Sequence, residues 1–173
     1  MDNIQILAGD ITLAKVDAIV NAANPKMLGG GGVDGAIHMA AGRKLLEACR
    51  KVKPVNGVRC PIGEARITPA GNLSAKYVIH TVGPRFKIDQ YPKMLLVSAY
   101  KNSLDLAIAN NCKSIAFPAI SCGAYGYPIL EAAFVSLGVC SKSEYSQLEV
   151  YFYLLGKKAK EAWGRAYEHI HGK

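Results

Sequence analysis

The sequence predicts an α/β fold of three layers, with helices on both faces of a mixed and largely parallel sheet. Short apolar runs rich in β-branched residues alternate with longer segments whose apolar residues recur at helical spacing. Strands that alternate with helices in this way pack as a sheet between two helical layers. The chain has 173 residues, half of them hydrophobic, and we expect residues 1–173 to form one domain around one core.

Six strands are predicted from apolar runs that end in turn residues. Ile4, Ile6 and Ala8 alternate with polar residues before Gly9, and the next run is apolar and β-branched. The predicted strands are Ile4–Ala8, Val16–Val20, Arg66–Thr68, Tyr77–Val82, Ser114–Ile120 and Leu148–Leu154.

Apolar residues at helical spacing predict the helices that follow these strands. The first helical segment comes directly after a run of glycines, and Gly42 divides it into two short helices. The predicted helical segments are Val33–Cys49, Tyr91–Asn111, Pro128–Cys140 and Ala159–His171.

The formal net charge of +8 and the pI near 9.3 favour anionic partners of any kind. Much of the charge falls in Arg43–Lys53 and Lys157–Lys173, which we interpret as solvated helix faces. The sequence has no aromatic RNA-binding motif and no recognition-helix signature. Nucleic-acid binding therefore stays open on charge alone and is not favoured.

The cysteine pattern and the apolar runs indicate a cytoplasmic protein without a membrane segment. The five cysteines are odd in number and include no C-x-x-C pair, which disfavours a disulfide framework and a thiolate zinc site. Cys122 lies in a glycine-rich loop, but no base is known beside it, so we expect a bystander thiol. No apolar run approaches the ~18 residues of a membrane span, and Met1–Asp10 suits no export signal.

Three loops are candidates for one ligand cleft: Gly9–Ile11, Asn21–Asp34 and Ser121–Tyr127. Each follows a predicted strand, and ligands of open α/β sheets collect beyond the carboxyl ends of the strands. We therefore expect these loops to wall one cleft.

Two of these loops have the composition of phosphate-binding turns. Gly29–Gly32 precedes a helix, where exposed amides and the positive helix end attract a phosphate, although a flexible surface hairpin is the alternative. Ser121–Gly126 is a second glycine-containing turn, so the pair could hold a diphosphate. Neither loop has the G-x-G-x-x-G or Walker pattern, which disfavours a nicotinamide enzyme or an NTPase.

Four polar residues in these loops have both a structural and a functional interpretation. Asp10 could cap the turn at Thr12–Lys15 or bind ligand. Asn21 and Asn24 could form turns, and Asp34 could simply favour the helix dipole. Residues alone leave these alternatives open.

The order of five motifs resembles that of the macrodomain family, in particular its MacroD-type branch. The resemblance covers almost the whole chain, and the glycine-rich motif is characteristic of that branch. The motifs are Gly9-Asp10-Ile11-Thr12, Val20-Asn21-Ala22-Ala23-Asn24-Pro25, Gly29-Gly30-Gly31-Gly32-Val33-Asp34-Gly35-Ala36-Ile37-His38, His80-Thr81-Val82-Gly83-Pro84 and Phe117-Pro118-Ala119-Ile120-Ser121.

The resemblance implies a macrodomain sandwich with an ADP-ribose site. Asp10 would accept a hydrogen bond from the adenine amino group, with the Ile11 backbone supporting the ring. Backbone amides on both sides of the diphosphate would hold it without any lysine. The residues implied for the diphosphate are Gly31, Gly32, Val33, Ser121, Cys122, Gly123, Ala124 and Tyr125.

The same resemblance assigns catalysis to Asn24, which would hold the distal ribose, and Asp34, which would lie near its anomeric carbon. An amide donor and a carboxylate suit ester hydrolysis, which needs a fixed sugar and an oriented water. Two schemes remain for Asp34: it removes a proton from water, or it orients ribose while the α-phosphate positions the water. Asn21 is expected to brace the loop.

The implied function is a hydrolase that deacetylates O-acetyl-ADP-ribose and removes mono-ADP-ribose from acidic side chains of proteins. It would need no metal and no cofactor and would act as a monomer. The alternative is a reader that binds ADP-ribose without hydrolysis. Two departures from the family are the Ser121-Cys122-Gly123 turn and the aliphatic Leu155 near the adenine, while His38 and His80 are expected to be structural.

Overall fold

The computed structural model describes residues 3–172 and confirms the three-layer fold, with one six-stranded sheet between two helical layers. The strands are β1 (Ile4–Ala8), β2 (Ala18–Ala22), β3 (Ala65–Pro69), β4 (Tyr77–Thr81), β5 (Ser114–Phe117) and β6 (Glu149–Leu154). The helices are α1 (Gly32–Ala41), α2 (Arg43–Arg50), α3 (Pro92–Ala109), α4 (Ile129–Cys140) and α5 (Lys157–His171). Met1 and Asp2 lie outside the described residues; they belong to the segment Met1–Asp10, which is not expected to be an export signal.

The strands lie in the order β1-β6-β5-β2-β4-β3. Neighbouring strands pair in parallel, except that β3 runs antiparallel to β4 at one edge. The carboxyl ends of the five parallel strands therefore meet at one edge of the sheet. The loops that follow β1, β2 and β5 all start there, as the sequence predicted.

Both faces of the sheet are buried, and β2 shows the alternation. Ala18 and Val20 belong to the core cluster under α3, α4 and α5, which includes Trp163, while Ile19 belongs to the cluster under α1 and α2, which includes Leu45. All five side chains are inaccessible to solvent. A strand that is buried on both faces between two helical layers is expected to be mainly apolar, and Ala18–Val20 of β2 fit this expectation.

Two predicted strand boundaries are wrong in ways that matter for the site. β2 lies two residues later than predicted, so Asn21 is a buried strand residue and not part of the loop. β5 ends at Phe117 because Pro118 has no N–H to continue the ladder. The predicted helix break at Gly42 is confirmed, where the backbone takes a φ of 82°. Within residues 3–172, no helix combines the length and the apolar character required to cross a membrane.

Candidate active-site cleft

A cleft of about 380 Å³ lies at the carboxyl edge of the sheet, between the N-terminus of α1 and the loop after β5. Its walls come mainly from two of the three predicted loops, Asn21–Asp34 and Ser121–Tyr127. Four small residues of the quoted motifs, to which the sequence gave no role, also line the cleft: Ala22, Ala23, Pro118 and Ala119.

One wall of the cleft is the N-terminus of α1, which lacks a side-chain cap. The N-cap residue is Gly31, and the first helical hydrogen bond runs from Gly35 N to Gly31 O at 3.2 Å. The amides of Gly32, Val33 and Asp34 therefore have no carbonyl partner within the helix. These donors, together with the positive end of the helix dipole, form a site for an anion.

The opposite wall presents a second row of amides. The backbone N–H groups of Gly123, Ala124 and Tyr125 donate to no acceptor within the described part of the chain, and all three residues line the cleft. Cys122 differs, because its amide donates to Ala119 O at 3.3 Å and its side chain packs against the core. The structure therefore gives Cys122 no place in the cleft lining, although it lies in the predicted loop.

Ser121 holds this loop in place through a hydrogen bond to the segment after β4. Its hydroxyl donates to Pro84 O at 2.7 Å, and its backbone takes the left-handed conformation with a φ of 67°. Gly83 lies so close to the side chains of Ser121 and Ile120 that a β-carbon on it would clash with both. The hydroxyl thus anchors the loop to the segment after β4, and Ser121 also lines the cleft.

Replacing Ser121 with Ala is expected to lower the free energy of unfolding by about 1–2 kcal/mol, because the buried Pro84 carbonyl loses its donor. Ser121→Gly loses the same hydrogen bond but relieves the left-handed backbone, which is worth about 1 kcal/mol. The glycine variant should therefore be the more stable of the two in urea unfolding. Equal stability of the two variants would show that the backbone is not strained.

Asp34 is almost completely buried, with 4% of its surface exposed, and its carboxylate is held by residues beneath the cleft. Asn21 Nδ2 donates to Asp34 Oδ1 at 2.8 Å, and His38 Nε2 lies 3.5 Å from the same oxygen. Burial raises the pKa of Asp34, while the Asn21 hydrogen bond and the neighbouring His38 oppose the rise. Asn21 braces Asp34, in agreement with the bracing role expected for it, although it does so from a strand.

Asn24 organises the turn that leads into the glycine run. Its Nδ2 donates to Gly29 O at 3.1 Å, and its Oδ1 accepts from the amides of Lys26 and Met27, each at 3.2 Å. The turn-forming interpretation of Asn24 is therefore confirmed. One hydrogen of Nδ2 is left over for a ligand, and Asn24 also lines the cleft.

Asn24 and Asp34 face each other across Gly30. A β-carbon on Gly30 would lie 3.1 Å from Asp34 Oδ2 and 3.2 Å from Asn24 Nδ2. Both polar atoms therefore border the same small space, which only a glycine leaves open. The arrangement presents a carboxylate oxygen and an amide donor to one group of a ligand.

A family model described as Macro domain matches residues 20–135. The chain belongs to the Macro domain family. A macro domain-containing protein of Vibrio parahaemolyticus is 59% identical over 166 residues, which cover 96% of this chain and 98% of the relative. An O-acetyl-ADP-ribose deacetylase of Citrobacter rodentium is 57% identical over 140 residues, 80% of this chain and 78% of the relative.

Solved macrodomain structures share the fold of this macro domain. The Oceanobacillus iheyensis macrodomain with ADP is 39% identical, with a TM-score of 0.89 over 96% of this chain and 90% of that chain. The Trypanosoma brucei macrodomain in complex with ADP-ribose is 38% identical, with a TM-score of 0.82 over 94% of this chain and 68% of that chain. The resemblance found in the sequence and the fold that it implied are both confirmed.

The third predicted loop of this macro domain lies on the same sheet edge but outside the cleft lining. Asp10 Oδ1 accepts from Thr12 N at 2.9 Å and from Thr12 Oγ1 at 2.8 Å, so the capping role is confirmed. Ile11 is buried in the core cluster beside α1. Leu155, at the end of the neighbouring β6, is 70% exposed. Asp10 and Ile11 follow β1, two strands away from β5, where only an elongated ligand could reach them. Leu155 follows β6, which lies next to β5.

The two motif histidines of the macro domain differ. His80 is buried and contacts Thr68 and Asn21, as expected of a structural histidine. His38 Nε2 is also buried, but it makes no hydrogen bond within residues 3–172, and its 3.5 Å approach to Asp34 Oδ1 is an electrostatic contact. No group of three or more His, Cys, Asp or Glu side chains is placed to hold a metal ion within those residues.

All five cysteines are free. Burial raises the pKa of Cys122 to about 12, so its thiol stays protonated near neutral pH. A protonated thiol is a poor nucleophile. The expectation that Cys122 is a bystander agrees with this environment.

Proposed function

We propose that this macro domain is a hydrolase of ADP-ribose esters that needs no metal or cofactor, and that it deacetylates O-acetyl-ADP-ribose. One observation carries the proposal: Asp34 Oδ2 and Asn24 Nδ2 border the same space within a cleft walled by two rows of unpaired amides. The 57% identity to a relative named O-acetyl-ADP-ribose deacetylase supports it.

The cleft fits the diphosphate and the distal ribose of ADP-ribose. The amides of Gly32–Asp34 face one side of the diphosphate and those of Gly123–Tyr125 the other, so both phosphates gain donors without a lysine. The remaining Nδ2 hydrogen of Asn24 holds a ribose hydroxyl. The adenine extends toward Asp10, whose carboxylate accepts from its amino group.

Hydrolysis breaks the bond between the acyl carbon and the ribose oxygen. Water attacks the acyl carbon, the ribose oxygen takes up a proton, and acetate and ADP-ribose leave. Asp34 Oδ1 is occupied by Asn21, so Oδ2 acts on the water or on the ribose. Because burial raises its pKa, this carboxylate is a stronger base than an exposed aspartate.

We extend the proposal to mono-ADP-ribose esterified to acidic side chains of proteins, because that link is also an ester of the distal ribose. The polypeptide would stay outside the cleft, whose lining includes the exposed Gly30. We further propose that the protein acts as a monomer, in the cytoplasm, as one domain.

The wild type is expected to release acetate from O-acetyl-ADP-ribose in the presence of EDTA and to free ADP-ribose from a protein modified on glutamate. Asn24→Ala should lower kcat by about 10²-fold, because the ribose loses a fixed orientation. Asn110→Ala is the matched control, because this side chain at the end of α3 donates to Leu106 O and makes no other hydrogen bond within residues 3–172.

Calorimetry with free ADP-ribose separates this proposal from its alternative. A wild type that binds ADP-ribose but turns over neither ester is a reader module, and the hydrolase proposal would then be wrong. Release of acetate without release of protein-linked ADP-ribose would restrict the proposal to the small substrate.

A further inference from the structure

A buried row of polar side chains links Asp34 to the edge strand β3. Asn21 Nδ2 lies 2.8 Å from Asp34 Oδ1 and 3.3 Å from His80 Nδ1, and His80 Nε2 lies 3.0 Å from Thr68 Oγ1. All four residues are buried. The row crosses three neighbouring strands, since Asn21 is paired with His80 between β2 and β4, and β3 is the next strand.

The hydrogen bonds of this row fix where the proton of His80 lies. The Asn21 nitrogen has two hydrogens and faces two partners, a carboxylate oxygen and His80 Nδ1. His80 Nδ1 is therefore an acceptor. Burial lowers the pKa of His80 to about 3, so the ring is neutral and its one proton lies on Nε2. Thr68 Oγ1 accepts that proton, and Cys49 Sγ is a weaker neighbour at 3.7 Å.

The orientation of the Asn21 amide depends on this proton. A reversed amide would turn Oδ1 toward the Asp34 carboxylate and toward the lone pair of His80 Nδ1. In the observed orientation Oδ1 is buried and has no hydrogen-bond partner among residues 3–172. Nothing on the oxygen side therefore holds the amide, and the contacts of its nitrogen determine the orientation.

We propose that Thr68 and His80 are positioning residues for the hydrolysis, because Thr68 keeps the His80 proton on Nε2 and thereby keeps the Asn21 amide nitrogen turned toward Asp34. The inference rests on the proposed function and goes beyond it, since neither residue lines the cleft. Without the Thr68 acceptor, the form with the proton on Nδ1 becomes populated. That form pairs with a reversed amide, which places an oxygen beside the Asp34 carboxylate.

Thr68→Val tests this role because valine has nearly the same shape as threonine and lacks the acceptor. We expect kcat for O-acetyl-ADP-ribose to fall about tenfold, with the Kd for ADP-ribose changed less than about twofold. Thr68→Ser keeps the hydroxyl and should restore kcat. The ¹⁵N shifts of the His80 ring should show a protonated Nε2 in the wild type and a mixture of forms in Thr68→Val.

His80→Asn and His80→Gln provide a second matched pair. The Asn side-chain oxygen can take the place of Nδ1 and accept from Asn21, whereas Gln reaches toward the position of Nε2. The asparagine variant should therefore keep the higher kcat.

Three results would overturn the inference. They are a wild-type His80 with its proton on Nδ1, a Thr68→Ser variant as slow as Thr68→Val, and parallel losses of kcat and ADP-ribose affinity in Thr68→Val. A wild type without turnover would contradict the proposed function and this role with it. The nitrogen shifts need no turnover, so they report the proton placement in either case.

Discussion

Replacing Asp34 with Asn is expected to lower kcat for ester hydrolysis by about 10²- to 10⁴-fold, the range that a proton-transferring side chain contributes. The amide oxygen of the new side chain can still accept the hydrogen bond from Asn21. It cannot take a proton from water, and it carries no charge. The Kd for ADP-ribose should change little, because the diphosphate is held by amides. Single-turnover kinetics and calorimetry measure the two effects separately.

The same substitution should make the protein more stable at neutral pH. Burial raises the pKa of Asp34 in the folded protein, more than Asn21 and His38 lower it. A raised carboxyl pKa stabilises the folded protein at pH values below the pKa that the group has in the unfolded chain. That stabilisation is lost as the pH rises through the pKa of the group in the folded protein. Burial therefore makes the ionised form of Asp34 unfavourable in the folded wild type, and the Asn variant has no charge to bury. Urea unfolding at pH 7 should show a higher midpoint for Asp34→Asn.

Asp105→Asn is a control for which we expect the opposite change in stability. Partial burial would raise the pKa of Asp105, but Lys101 Nζ and Tyr145 OH both donate to it at 2.7 Å and hold the pKa below its ordinary value. Removing this charge should lower the stability slightly and leave kcat unchanged.

An Asp34→Asn variant that hydrolyses the ester at the wild-type rate would contradict the catalytic role of Asp34.

Gly35→Ala is expected to lower kcat by about 10²-fold, the cost of a small misplacement of reacting groups. A β-carbon at Gly35 would lie 2.5 Å from Gly30 O, a backbone atom that cannot rotate away. The glycine run must therefore shift, and Gly30 is the residue that lies between Asn24 and Asp34. The relative positions of these two side chains change with it. Steady-state kinetics with O-acetyl-ADP-ribose measures the loss.

The stability of Gly35→Ala is the sum of two opposing effects. Alanine in place of glycine inside a helix stabilises by about 0.5–1 kcal/mol, whereas the crowded contact costs about 1–3 kcal/mol. We expect a net loss of about 1 kcal/mol. Gly138→Ala in α4 meets nothing within 4 Å and should be more stable than the wild type. If Gly35→Ala behaves like Gly138→Ala in stability and keeps its kcat, the close approach to Gly30 has no catalytic importance.

The sequence predicted the two amide-bearing loops because glycine-rich segments indicate where the backbone forms a turn. Gly29–Gly32 and Ser121–Gly126 each lie between a strand and a helix, and the fold places such turns at the carboxyl edge of the sheet. Short-range patterns suffice for this. The same pattern predicted that the two loops wall one cleft and could hold a diphosphate, and the family resemblance then implied ADP-ribose as the ligand.

The surroundings of the Asp34 carboxylate could not be predicted in the same way. Asn21 was placed in a loop because asparagine is unusual in a buried strand. It is stable there because it donates to His80, 59 residues away along the chain. Ser121 is a second example. The sequence predicted its place in the loop, but not that its hydroxyl donates to Pro84 O. That hydrogen bond depends on how closely the loop approaches Gly83. Contacts between distant segments determine these details.

The two rows of amides in the cleft have a consequence for evolution. Every residue except proline contributes the same N–H group, so exchanging the side chains of Gly123, Ala124 or Tyr125 leaves the donors in place. The Cys122 departure from the family pattern is one such exchange beside them. Selection on this surface therefore acts on backbone shape more than on residue identity. A changing sequence can retain anion recognition as long as proline does not enter the two rows and Gly32, with its φ of 56°, stays glycine.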